Sequence, residues 1–124
     1  MIYLLVALGS AIGGVLRFWM TGVITALAPA GFPWGTLVVN ISGSFAIGVF
    51  AALTGPASRL EHTADWRAFL MVGICGGYTT FSAFSLQTLD LAQSGQWLGF
   101  AGNIAGSVLL CLLGAWLGMH LFSR

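Results

Sequence analysis

One apolar run, long enough to cross a bilayer, contains a stretch that an uninterrupted helix would not choose: Gly73-Ile74-Cys75-Gly76-Gly77-Tyr78-Thr79-Thr80-Phe81-Ser82-Ala83-Phe84-Ser85. Its three glycines lower helical propensity, and Tyr78, Thr79 and Thr80, aromatic or β-branched, do not restore it. Hydroxyls follow at once, interleaved with two phenylalanines. Hydrocarbon offers no water to freed N–H and C=O groups, so broken backbone persists there only where protein or a cavity satisfies it. The stretch is therefore read as a discontinuous span, interrupted at its twin glycines Gly76 and Gly77, that lines an ion or substrate site.

The rest of the chain sets the solvent. Of 124 residues, 58% are hydrophobic and only 6% charged, too little charge to keep the surface of a water-soluble domain wet. A span needs roughly 20 apolar residues to cross ~30 Å of hydrocarbon, so four spans fit and five do not. The formal net charge of +1 provides neither a basic stripe for nucleic acid nor an acidic tail. Cys75 and Cys111 both fall inside apolar segments and read as reduced packing residues rather than a disulfide framework.

Taken in order, the first span covers about residues 2–27. A secretory signal peptide is the rival reading, since Ala26-Leu27-Ala28 resembles a small-x-small cleavage site. No Lys or Arg precedes the run, however, and Arg17 sits within it. Gly9 and Gly13 form a small-xxx-small pair suited to close helix contact. Arg17 either snorkels to an interface or faces a wet vestibule. Pro29 to Trp34 form a turn with an interfacial aromatic anchor.

The second span, about 35–53, carries Gly35-Thr36-Leu37-Val38-Val39-Asn40-Ile41-Ser42-Gly43-Ser44-Phe45. Asn40 must be hydrogen-bonded at that depth, either as glue between helices or as part of a site. A polar loop over about 54–68 holds Arg59, Glu61, His62, Asp65 and Arg67, with His62 read as a solvated loop residue. The third span, about 69–92, contains the broken stretch, and Asp90 near its end reaches the far interface. The fourth, about 97–122, places Asn103, Gly106, Ser107, Gly114 and Gly118 at helical spacing. Residues 1–124 thus read as a single four-span domain, an all-α integral membrane protein with a break in its third helix. Arg59, Arg67 and Arg124 fall on one side, which the positive-inside rule makes cytoplasmic. That bias is weak, and insertion in both orientations is compatible with it.

Four thin helices cannot shield an aqueous path and also pack their glycine faces, so a homo-oligomer, a dimer first of all, is expected. Phe81 and Phe84 are three residues apart and share a helical face; Ser82 and Ser85 repeat that spacing beside them. The phenylalanines read either as ordinary packing or as ring edges facing an ion. An aromatic edge is positive, so edges combined with hydroxyl and carboxamide donors can replace the hydration shell of a small anion. A helix break also releases carbonyls that suit a small cation such as Na⁺. From the residues alone the reading ends at an ion-conducting or transporting site at mid-membrane depth.

The strings GTLVVNISGSF at Gly35 to Phe45 and GICGGYTTFSAFS at Gly73 to Ser85, with Gly13-Gly14-Val15-Leu16-Arg17-Phe18 in the first span, resemble the Fluc (CrcB) family of fluoride channels over essentially the whole chain. That resemblance implies a dual-topology, antiparallel homodimer in the bacterial cytoplasmic membrane, with two fluoride pores along the subunit interface. It implies Phe81 and Phe84 as pore-lining rings, Asn40 as a donor near them, and Ser82, joined by Ser107, as a polar track. It also implies Gly76 and Thr79 as backbone-carbonyl ligands of a central structural Na⁺, and Arg17 at a vestibule. Ala83 departs from the family's frequent Thr or Ser, and Gln87 from a frequent Glu. Fluoride as the ion is carried by the resemblance; the residues add that a narrow path of short donors favours the smaller, stronger acceptor.

Two other functions are compatible with a small four-span chain. A small multidrug-type, proton-coupled transporter needs a titratable carboxylate within the membrane, and the first, second and fourth spans have none. A non-transporting assembly subunit would use the glycines and Asn40 only to join helices. No nucleophile–base pair or metal cluster suggests an enzyme.

Overall fold

The computed structural model describes residues 1–55 and 63–123. The elements among the described residues are all helices: α1 (Ile2–Leu27), α2 (Trp34–Leu53), α3 (Thr63–Arg67) running into a π-helical segment (Ala68–Cys75), α4 (Gly76–Tyr78), α5 (Phe81–Gln93) and α6 (Trp97–Phe122). Among the described residues four runs are long and apolar enough to cross a membrane: Ile2–Leu27, Trp34–Leu53, Thr63–Gln93 and Trp97–Phe122. The third begins inside the stretch expected to be loop, with Asp65 in its first turn, where a carboxylate complements the helix dipole. Arg59, Glu61, His62 and Arg124 lie outside the described residues.

The connections follow from their turn residues. After α1 the chain becomes extended at Ala28, ahead of Pro29, and Gly31 takes φ 98°, a conformation that favours glycine. The Phe32 and Trp34 rings meet at 4.7 Å, tilted by 53°, in this turn. Between α5 and α6, Gly95 at φ 74° closes the tight connection.

Main chain lies against main chain where the helices meet. Gly9 of α1 faces Phe69 and Gly73, and Gly13 faces Ile74, Gly77 and Tyr78, so α1 and the first half of the third span run parallel. Gly48 and Gly118 do the same for α2 and α6, against Ala115 and Phe45 respectively. Lipid is as apolar as leucine, so this association draws on close van der Waals packing rather than on the hydrophobic effect. The largest fully buried side chains are accordingly Val39 and Asn103, not a leucine core.

The third span is interrupted, but not at its twin glycines. Gly76 is helical at φ −64°, ψ −37°. The chain leaves the helix at Thr79 (φ −84°, ψ 158°) and Thr80 (φ −150°, ψ 117°). Gly73 and Gly77 serve contact with α1: a Cβ on Gly77 would stand 2.5 Å from the Ser10 carbonyl oxygen. The β-branched threonines then take the extended backbone they favour. Before the break the span packs on α1, and after it α5 packs on α6. The two extended residues thus hand the chain from one half of the bundle to the other.

Candidate functional site

The break is held by one side chain from another helix. Asn40 Nδ2 donates to the Thr80 carbonyl at 3.0 Å, and Asn40 Oδ1 accepts from the Thr80 N–H at 2.8 Å. The carboxamide thereby bonds both main-chain groups of a residue in extended backbone, as an interrupted intramembrane segment requires. One Nδ2 hydrogen remains for another acceptor. Thr80 also caps α5, its Oγ1 accepting from the Ala83 N–H at 3.2 Å. Ser82 Oγ lies 3.2 Å from the same hydroxyl.

These bonds divert two donors. In a continuous helix the Thr80 N–H would close onto the Gly76 carbonyl and the Ala83 N–H onto that of Thr79. Asn40 takes the first and the Thr80 hydroxyl takes the second. The carbonyls of Gly76 and Thr79 thereby lose their helical donors. Oxygen donors of this kind match a hard cation, and nothing softer than oxygen is required. Among the described residues no group of three or more His, Cys, Asp and Glu could hold a metal ion.

Beside the break lies a groove of about 460 Å³ whose lining includes Asn40, Gly76, Thr79, Phe81, Phe84 and Ser107. The Phe81 and Phe84 rings lie 5.3 Å apart and tilted by 47°. Phe81 is 78% exposed, so it is not a core-packing residue within this chain. Six of the residues named from the sequence, on α2, the broken span and α6, therefore meet at one surface. Ser82 and Arg17 do not line it. Ser82 is exposed beside Thr80, and Arg17 is half-buried on α1.

Ser107 joins a polar ladder that sequence reading did not identify. Its Oγ donates to Asn103 Oδ1 at 3.5 Å, Asn103 Nδ2 donates to Thr88 Oγ1 at 2.8 Å, and Thr88 Oγ1 donates to the Phe84 carbonyl at 2.6 Å. The ladder ties α6 to α5 directly behind a groove ring. Asn103 stood out in the sequence only as a small polar residue at helical spacing, and Thr88 carried no signal at all. Gln87, on the same helix, keeps a buried Oε1 with no hydrogen-bond partner among the described residues.

Comparison with known proteins assigns the chain to a family. The family model described as CrcB-like protein, Camphor Resistance (CrcB), matches residues 4–119. The chain belongs to the CrcB family. A CrcB relative from Rhodospirillum rubrum, named Fluoride-specific ion channel FluC, is 60% identical over 118 residues, covering 95% of this chain and 92% of its own. A protein of the same name from Paramagnetospirillum magneticum is 60% identical over 116 residues, covering 94% and 91%. Another from Methylocella silvestris is 52% identical over 116 residues, covering 94% and 88%. These CrcB relatives are named as ion channels, not as enzymes, and the chain is no enzyme by that kinship.

Proposed function

We propose that this chain is a fluoride-specific channel that lets fluoride leave the cell passively across the bacterial cytoplasmic membrane. The observation that carries the proposal is the near-full-length match, at 60% identity, to a protein named for that activity. The groove supports where the ion would pass. It offers Asn40, Phe81, Phe84 and Ser107 in an interior without fixed charge.

Each residue has a defined part in this reading. The free Nδ2 hydrogen of Asn40 donates to the anion while the other stays on Thr80. The edges of Phe81 and Phe84 present their positive rims. Ser107 commits its proton to Asn103 only through a 3.5 Å bond, which a stronger acceptor can win. Ser82 presents a donor when its Thr80 neighbour points its own proton toward it. Arg17 raises the local anion concentration at the mouth. Fluoride accepts stronger hydrogen bonds than larger halides, so short donors in a narrow path favour it.

In the same proposal the working unit is an antiparallel, dual-topology homodimer, with both copies lining each of two pores. A single protomer leaves the groove open along one side, and Phe81 is exposed there. The carbonyls of Gly76 and Thr79 would hold a structural Na⁺ at the dimer centre, where its charge neutralises the converging carbonyl dipoles.

Reconstituted protein tests the proposal. Liposomes loaded with fluoride and chloride are expected to release fluoride rapidly and to keep chloride, read by ion-selective electrodes. Equal efflux of both halides rejects the selectivity, and no efflux rejects the channel.

A further inference from the structure

We infer that Asn40 is a positioning residue for the cation site, acting through Thr80, so that one backbone break couples the anion groove to the cation-binding carbonyls. This rests on the reading above that Na⁺ sits at the Gly76 and Thr79 carbonyls.

A carbonyl already accepting a helical hydrogen bond is a poorer cation ligand, because part of its negative potential is spent on the donor. Whether the Gly76 carbonyl is free depends on where the Thr80 N–H goes. Asn40 Oδ1 takes it at 2.8 Å. Asn40 Nδ2 simultaneously holds the Thr80 carbonyl at 3.0 Å, which fixes the orientation of both flanking peptide planes. Thr80 Oγ1 is a second lock, taking at 3.2 Å the Ala83 N–H that would otherwise cover the Thr79 carbonyl. Gly43, three residues after Asn40, has no side chain and lets the α2 backbone approach Thr79; a Cβ there would collide with Thr79 Cγ2. One short segment of α2 therefore sets the break, and the same Asn40 lines the groove. Losing the carboxamide would remove an anion donor and also let the helix close over the cation carbonyls.

The test is Na⁺-dependent stability of the purified protein, independent of flux. The melting temperature is measured in detergent while Na⁺ replaces N-methyl-D-glucamine at constant ionic strength, giving a Na⁺ midpoint. Asn40→Leu, which frees the Thr80 N–H, is expected to raise that midpoint at least tenfold or to abolish the shift. Asn40→Asp keeps an acceptor for the Thr80 N–H and is expected to retain a shift with a midpoint within a few-fold of wild type. Gly106→Ala, outside the groove and with open space for a Cβ, is expected to leave the midpoint unchanged. If Asn40→Leu does not fold, Thr80→Val, which returns the Ala83 N–H to the Thr79 carbonyl, is expected to raise the midpoint in its place. A wild-type midpoint in folded Asn40→Leu, or in Thr80→Val where that variant stands in, overturns the coupling alone. No Na⁺ shift in the wild-type protein overturns the cation reading and the coupling together.

Discussion

Gly9 of α1 and Gly73 of the third span are in main-chain contact: a Cβ added to either would stand 2.9 Å from the Cα of the other. No side chain of the neighbouring helix could yield to relieve that collision, because the opposing atoms are backbone.

Gly73→Ala is therefore expected to destabilise the protein by about 1–3 kcal/mol, the usual cost of overpacking a tight interior. Gly106→Ala is the control, since a Cβ at Gly106 meets nothing within 4 Å. Thermal unfolding in detergent should show a lower midpoint for the first and little change for the second. Equal midpoints would mean that the α1 contact is looser than described.

The tilted Phe81–Phe84 pair gives a second expectation. Phe81→Ile and Phe84→Ile keep apolar bulk but lose the positive ring edge. Fluoride efflux should fall by roughly tenfold or more in each, since about 1.4 kcal/mol at the barrier is already tenfold in rate. The melting temperature should stay near wild type. Undiminished efflux in both variants would return the rings to simple packing.

Asn103 is 2% exposed and supplies the donor to Thr88. Asn103→Ala removes both of its ladder bonds and is expected to cost about 1–3 kcal/mol of stability. Asn103→Leu combined with Thr88→Val, which replaces both partners by apolar groups, should recover part of that loss. A double variant no more stable than Asn103→Ala would show that the ladder's polar satisfaction is not what Asn103 contributes.

Replacing Na⁺ by N-methyl-D-glucamine throughout preparation and assay is expected to lower both fluoride efflux and melting temperature. A cation too large for the Gly76 and Thr79 carbonyls cannot take their negative ends. Full efflux and an unchanged melt in Na⁺-free buffer would leave those carbonyls without a cation.

Several of these features are legible in the chain itself. Four long apolar runs almost without charge permit little except membrane-crossing helices, because backbone polar groups in hydrocarbon must be satisfied within each segment. The 73–85 stretch announces a break and a polar, aromatic site, since its residue types conflict with a continuous apolar helix. The three-residue spacing of Phe81 and Phe84 places both rings on one face.

The position of the break was decided by tertiary contact. Glycine propensity points to Gly76 and Gly77, yet these remain helical; the glycine positions of this span that meet α1 are Gly73 and Gly77. Thr79 and Thr80 become extended because Asn40, forty positions earlier in the chain, satisfies the Thr80 main chain. The Thr88–Asn103–Ser107 ladder also depends on which helices lie side by side. Composition and periodicity act locally and report which segments enter the membrane. Which freed backbone group finds a partner is settled only when separate helices bring their side chains within hydrogen-bonding distance.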